Sequence, residues 1–394
     1  MKTIRQGSQV SLLLDAAVAE DRAEWISLWS ASKFRRPHDH PGFLEAMCLP
    51  GERPMAIACL LEGRLLSLYP FNVFDIVQLP FAGLLGNSPG VDVISPYGYG
   101  GGTYEGGEAN RQIAEESLGY ALKLFFSQMN VVSEFVREDL FAEHLTPRHD
   151  GEHLVQQQNV VIDLKVALEE RWLRHYREEI RREVRRAEEA GLRVEISNSA
   201  SFLEPFLDIY YATMKRDCAK DYYFFPREKF QHLHDSLQPT GGLQYVLVFL
   251  GDRVISVGLL LLSLDTIHGF LGGTDAIYFK LHPFELLQHK VIEWGHRRGY
   301  SSYVLGGGLK PNDGLFRFKR AFEPDGLMDF WVRRVVWNKE KYNLLMATRA
   351  KWEAGKGRTW RPEPDFFPAY RAEWELEQVA SPSDDARGQA RGVS

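Results

Sequence analysis

Residues Pro54 to Phe74 hold two apolar runs joined by Glu62-Gly63-Arg64, and residues Gln244 to Leu264 hold two more joined by Gly251-Asp252-Arg253. Each reads as a β-hairpin, because glycine beside an acidic residue supplies a tight turn between β-prone flanks. The surroundings of the two hairpins also correspond. Upstream lies a helical stretch, Asp21 to Ser30 in one case and Ser201 to Asp217 in the other. Downstream the pattern predicts a third strand, a glycine-rich loop, a long helix and a further strand. In the first half these fall at Ile76 to Leu79, around Ser95 to Gly107, at Ala109 to Met129 and at Val131 to Val136. In the second half they fall at Thr266 to Leu271, Gly272 to His282, Pro283 to Arg298 and Ser302 to Leu305. One element order met twice predicts a duplicated α/β unit with mixed sheets.

Between the halves, residues 169–190 predict one basic helix. Trp172, Tyr176, Ile180, Val184 and Ala187 recur at helical spacing and form an apolar stripe. Gly191 follows as a C-cap, and Leu192 to Ile196 starts a strand. The chain therefore divides into residues 1–160, residues 161–360 and a C-terminal extension, 361–394. From about Ser381 that extension is rich in Ser, Asp, Arg and Gly and reads as a disordered tail.

Hydrophobic content of 44% and charged content of 25% are those of a globular chain able to bury a sizeable core. A net charge of -6 argues against a surface tuned throughout for nucleic acid, although it leaves room for a local basic patch. The three cysteines, Cys48, Cys59 and Cys218, form no CxxC pair, which points to a reducing compartment. The first twenty residues lack the features of a signal peptide, and no apolar run is long enough to span a bilayer. The expectation is a cytoplasmic protein with no integral membrane segment.

Four segments have the composition of a site. In Ser95-Pro-Tyr-Gly-Tyr-Gly-Gly-Gly102 the glycines allow close backbone approach, while Tyr97 and Tyr99 offer flat faces and hydroxyls to a substrate; a surface loop is the alternative. The linking helix carries Arg177, Arg181, Arg182, Arg185 and Arg186, suited to phosphate, but interleaved glutamates also suit a solvated face. Residues Leu305 to Phe322 run from a strand through Gly306, Gly307 and Gly308 and past Lys310 to a short basic helix beginning near Asp313. The carboxyl end of a strand is where open α/β sheets bind ligands, and a lysine there neutralises an oxyanion or phosphate. Finally, Gly273 and Thr274 precede a helix whose free amides would hold a cofactor anion; a plain connecting loop is the alternative. His38 and His40, like His232 and His234, are two apart and point in different directions on a helix. No HExxH, GxSxG, Walker or dinucleotide motif occurs, so no metal ligand set is expected.

At these segments the chain resembles the FemAB family and the related proteins with a BioF2-like acetyltransferase domain, within the GNAT superfamily. The matching pieces are Ser95 to Gly101, Arg182 to Val194, Tyr210 to Met214, Pro283 to Gly299, and Leu305 to Gly308 continuing through Phe318-Lys319-Arg-Ala-Phe322. The resemblance covers about Trp25 to Val336, and the glycine loop followed by the Phe-Lys element is its most specific part. It implies two GNAT-like halves with a groove between them and transfer of an acyl or aminoacyl group to an amine. It assigns Lys319 to the developing oxyanion, with Phe318 beside it, and makes Arg182, Arg185 and Lys310 phosphate contacts. No carboxylate is marked as general base; Asp313 and Asp275 are the acids nearest the motifs.

Two departures bear on the donor. The chain lacks the Arg/Gln-x-x-Gly-x-Gly/Ala loop with which acetyl-CoA-using members grip pyrophosphate, and it lacks the long helical arm of some FemA-type proteins. The implied donor is aminoacyl-tRNA, ahead of an acyl thioester on CoA or a carrier protein, with no tightly bound cofactor. The implied acceptor is an amine-bearing small molecule, peptide or cell-envelope precursor. A non-catalytic binding member is the third reading.

Overall fold

The computed structural model describes residues 2–86, 89–141, 144–145, 151–310 and 312–372; the tail expected beyond Ser381 lies outside them. The first half runs β1 (Lys2–Gln6), β2 (Gln9–Asp15), α1 (Ala19–Ala31), α2 (Pro41–Met47), β3 (Glu52–Leu61), β4 (Arg64–Asp75), β5 (Val91–Ile94), β6 (Gly102–Tyr104), α3 (Arg111–Met129), β7 (Val131–Arg137) and β8 (His144–Leu145). It is followed by β9 (Glu152–Asp163), α4 (Leu168–Glu170), α5 (Glu178–Glu189), β10 (Arg193–Ser197), α6 (Leu203–Arg216), α7 (Arg227–Leu237), β11 (Leu243–Leu250), β12 (Arg253–Leu262) and β13 (Thr266–Thr274). The chain then continues through α8 (Pro283–Arg297), β14 (Ser302–Gly306), α9 (Gly314–Arg320), β15 (Leu327–Val336) and α10 (Lys339–Gly355).

The two hairpins form where the turn chemistry places them. Leu61 pairs with Arg64 across Glu62 and Gly63, both at positive φ, and Leu250 pairs with Arg253 across Gly251, also at positive φ. The strands join one sheet in the order β1-β2-β3-β4-β5-β7-β15-β9-β14-β13-β12-β11-β10, with β6 attached to β4. Read inward from its two ends, the sheet shows the duplication: β2-β3-β4-β5-β7 matches β10-β11-β12-β13-β14. The last pair of each set, β5 with β7 and β13 with β14, is parallel, whereas the other strand pairs are antiparallel. A helix crosses over within each parallel pair, as parallel pairing requires.

Three local expectations are corrected. The third strand of the first half is β5, not Ile76 to Leu79. Residues 76–78 form a 3-10 turn, and Ile76 and Leu79 pack with Phe81, Leu345 and Tyr370 in a satellite core beneath α10. That apolar run serves a tertiary contact that the local pattern does not reveal. The helix expected at 169–190 breaks at Tyr176, which is extended, after a π-turn at Arg171–His175. Arg171 is buried against Glu323 and the Asp163 carbonyl, and Arg181 Nη1 donates to the carbonyls of Trp172, Leu173 and Tyr176 that the break leaves open. The apolar stripe nevertheless stays together: Tyr176, Ile180, Val184 and Ala187 pack with Val246, Leu286 and Val291 in the second core, that of the second half. Third, Gly272, Gly273 and Thr274 are not loop: they continue β13, paired to Gly258, Val257 and Ser256 of β12.

The halves are joined in two ways. Trp25, Phe43 and Leu44 of α1 and α2 share one core with Phe206, Tyr210, Phe230 and Leu233 of α6 and α7, and each fully buried aromatic there contributes about 2–3 kcal/mol. In addition β15, late in the chain, inserts between β7 and β9. The expected division at 160/161 falls inside β9, whose Val160 pairs with Gly306 of β14 and Leu327 of β15. Part of the extension is folded: Tyr370 is buried and its hydroxyl donates to Asp92 of β5. No helix among the described residues is long and apolar enough to cross a membrane.

Candidate functional site

Strand β14 ends at Gly306, whose φ of 78° favours glycine. The next two residues must also be small. A Cβ at Gly307 would lie 2.6 Å from Gln157 Nε2, and one at Gly308 would lie 2.3 Å from Asp313 Oδ1. Asp313 then closes the turn. Its Oδ1 accepts from Phe316 N–H at 2.8 Å, capping α9, while Oδ2 accepts from Leu309 N–H at 2.7 Å and Lys310 N–H at 3.0 Å. These amides, that of Phe316 foremost, hold its carboxyl below the usual carboxylate range. With both oxygens engaged, Asp313 shapes the loop and is not placed as a general base.

The last turn of α9 sends Lys319 back toward the strand. Phe316 is buried and Phe318 packs 5.7 Å from Phe284 and 5.4 Å from Phe322, fixing the helix on the second core. Phe318 is thus an anchor for its neighbour. Lys319 Nζ donates to the Gly307 carbonyl at 2.6 Å. Burial of the amine pulls its pKa down to about 8, with Asp313 opposing the shift.

The first half supplies the facing wall. Gly98 and Gly101, both at positive φ, bring the Ser95 to Gly102 loop inside the groove, where Gly98 passes His38. The loop inserts Tyr99, whose hydroxyl accepts from Asn159 Nδ2 at 2.9 Å. A Cβ on Gly306 would lie 3.5 Å from Lys319 Nζ and 3.9 Å from Tyr99 Oη, so amine and phenol flank that glycine from opposite halves. The Tyr99 ring is held by His38 at 5.5 Å, His268 at 5.3 Å and Phe330 at 5.5 Å. Tyr97 instead packs between Phe225 and Phe270 in the shared core.

His268 escaped the reading of the sequence, and His38 was set aside there for its spacing from His40. One sits after α1 and the other in β13, and only the join of the halves brings their rings to 4.9 Å. Burial, then the neighbouring His268, drives His38 well below its ordinary pKa, so it is neutral, and its Nδ1 has no hydrogen-bond partner among the described residues. Arg36 beneath them pairs with Asp39 and Asp139. Below His268 a cavity of about 240 Å³ opens between the halves, lined by Arg36, Asp139, Lys165, Asp265 and Ser302 among others.

The remaining expected residues lie apart from Lys319 or serve the scaffold. Gly273 and Thr274 do not form a cofactor loop: a Cβ on Gly273 would meet Thr213 Oγ1 at 2.4 Å, and the Thr274 hydroxyl is bonded to Ser256. Asp275 caps the turn after β13 and pairs with Arg253. Arg182 and Arg185 are exposed on α5, Arg185 lying over Trp172 at 5.5 Å, and Lys310 is exposed on the loop. At the start of α8, His282 Nδ1 lies 3.8 Å from Glu285 and 3.9 Å from Glu183. Burial, with the Glu183 charge adding to it, raises the Glu285 carboxyl. The amide end of α8 therefore faces carboxylates, a poor setting for a phosphate. Those three side chains are also close enough together for a cation.

Residues 174–320, from the π-turn before α5 to the end of α9, match a family described as acetyltransferase (GNAT) domain. Among solved structures, FemX is similar over 87% of this chain and 99% of its own, at 13% identity and a TM-score of 0.62. A C-terminal DUF2156 domain assigned to lysylphosphatidylglycerol synthetase from Agrobacterium fabrum is similar over 83% of this chain and 96% of its own, at 11% identity and a TM-score of 0.52. A conserved protein from Bacteroides thetaiotaomicron is similar over 82% of this chain and all of its own, at 9% identity and a TM-score of 0.52. At these identities the likeness is one of fold. No curated protein matches the sequence.

Proposed function

We propose that this chain, a FemAB-like acyltransferase of the GNAT superfamily, moves an aminoacyl group from aminoacyl-tRNA to an acceptor amine. The acceptor nitrogen attacks the ester carbonyl, the carbon–oxygen bond to the ribose breaks, and the proton shed by the amine ends on the departing hydroxyl. The observation that carries the reading is Lys319: a desolvated ammonium held on the Gly307 carbonyl beside Tyr99, at the carboxyl end of β14. A cation fixed in a partly dry groove stabilises the tetrahedral oxyanion more than the neutral ester, which is the condition for lowering the barrier. Asn159 orders the Tyr99 hydroxyl from the other side. Arg182, Arg185 and Lys310 remain the side chains available for phosphate.

The carboxylates at the amide end of α8 favour the tRNA ester over a CoA thioester, because a pyrophosphate brought there would meet Glu183 and Glu285. The second reading, an N-acyltransferase using acyl-CoA or an acyl-carrier protein, draws on the acetyltransferase description of residues 174–320. Filter binding of charged tRNA over a salt series, with acetyl-CoA as competitor, separates the two, since phosphate contacts weaken steeply with salt. Saturable, salt-sensitive binding that ignores CoA is expected. Absence of tRNA binding would transfer the assignment to a thioester. The reaction is placed in the cytoplasm, with a peptide, natural product or cell-envelope precursor as acceptor. Lys319→Ala is expected to lower turnover by roughly 10²–10³-fold with little change in donor binding. Full activity in that variant would remove the catalytic assignment, and a wild-type protein that binds without turnover would fit a non-catalytic member.

A further inference from the structure

The carboxyl ends of β13 and β14 lead into two neighbouring loops, 275–282 and 307–313. Phe284 at the foot of the first lies 5.7 Å from Phe318, in the helix that follows the second. Both carry apolar side chains outward. Ile277 is 71% exposed and Leu309 73%, and Phe279 and Leu315 beside them are 48% and 41% exposed. Single exposed apolar residues are ordinary, but four on the two segments that leave the carboxyl ends of β13 and β14, three in the loops and Leu315 at the start of α9, mark a contact surface.

The charge around them identifies what the surface meets. Lys280 and Lys310 are exposed on the two loops and Arg317 on α9, and none of the three has an ion pair among the described residues. The acids at these segments are engaged, Asp275 with Arg253, Asp313 with backbone amides, and Glu183 and Glu285 turned to His282 at the foot of the first loop. A cationic rim with aliphatic tips thus stands on a chain of net charge -6. Nucleic acid rewards the cations but takes up aromatic rings, not isoleucine and leucine. A neutral bilayer rewards the tips alone. An anionic phospholipid surface rewards both, since apolar side chains enter the headgroup boundary while lysine and arginine meet lipid phosphate.

We propose that this rim docks the protein on anionic membranes, Ile277 and Leu309 entering the interface and Lys280, Lys310 and Arg317 facing the headgroups. Docking holds the mouth of the Lys319 groove at the bilayer surface, where an amine carried by a lipid or lipid-linked precursor reaches it. That consequence rests on the acyl-transfer reading; the docking does not, and it is measured without turnover.

The test is co-sedimentation of the full chain with phosphatidylcholine vesicles, with and without about one phosphatidylglycerol in three lipids. Binding is expected with the anionic vesicles and weak without them. Ile277→Ser with Leu309→Ser should abolish most of it. Lys280→Glu and Arg317→Glu should each lower the partition coefficient by roughly five-fold or more. All four positions are exposed, and an unchanged thermal melt shows that the variants fold. Absence of vesicle binding, or binding that ignores both pairs of changes, overturns the proposal. So does loss of charged-tRNA binding in the Ile277/Leu309 variant with vesicle binding intact, which would assign the rim to RNA. Loss of activity in Lys319→Ala with normal vesicle binding leaves both readings standing.

Discussion

A desolvated lysine carries a cost in stability, and Lys319 allows that cost to be measured. Its pKa falls from 10.5 to about 8 because the amine is desolvated. At about 1.4 kcal/mol per pH unit this displacement corresponds to about 3 kcal/mol against folding when the group is charged. The sign follows from linkage. Below the folded value, about 8, lysine is charged in both states and the full penalty is present. Between about 8 and 10.5 the unfolded chain binds more protons, so the penalty is relieved as pH rises. Lys319→Met keeps the aliphatic stem and removes the charge. It also loses the hydrogen bond to the Gly307 carbonyl, which returns about 1 kcal/mol. The expected result at pH 7 is an inactive protein more stable than the parent by about 1–2 kcal/mol. Urea denaturation of both proteins at about pH 7 and about pH 9.5 isolates the effect, because groups common to the two cancel. The stability gap should shrink by about 2 kcal/mol between those pH values. A Met variant less stable at pH 7, with a gap that does not move with pH, would refute the picture of a desolvated ammonium.

The same group predicts the rate profile: with hydroxylamine as acceptor, which is neutral above about pH 7, turnover should be flat between about 7 and 8 and fall about tenfold per unit above about 8, as the ammonium is lost. A rate that rises through that range would make Lys319 a base. Gly306→Ala places a methyl group between Lys319 Nζ and Tyr99 Oη at a φ of 78°; a stability loss of about 1–2 kcal/mol and at least a tenfold loss in kcat are expected, from denaturation and single-turnover rates. Glu323→Ala strands Arg171, which is 1% exposed, and also removes the partner of His175. It should cost about 3–5 kcal/mol in a thermal or urea melt, whereas a loss under 1 kcal/mol would mean that water reaches the arginine.

Local chemistry determined much of this protein. Turn residues between apolar runs placed both hairpins, and their repetition along the chain revealed the duplication, because period-two burial and tight-turn geometry depend only on near neighbours. The glycine run of β14 and the Phe-Lys element were likewise visible, and they do form one side of the groove. Asp313 was visible as an acid beside a motif, but its work as a cap depends on where the loop amides point. The extent of β13 through Thr274 depended on pairing with β12, and the break at Tyr176 accompanies burial of an arginine against Glu323, far along the chain. Tertiary structure alone decided the rest. Tyr99 and Lys319 flank Gly306, and His38 meets His268, because β15 and the paired helices α1/α2 and α6/α7 lock the halves together. Contacts between residues so far apart leave no periodicity in either segment, and the free energy that places them is the burial of a core shared by both halves.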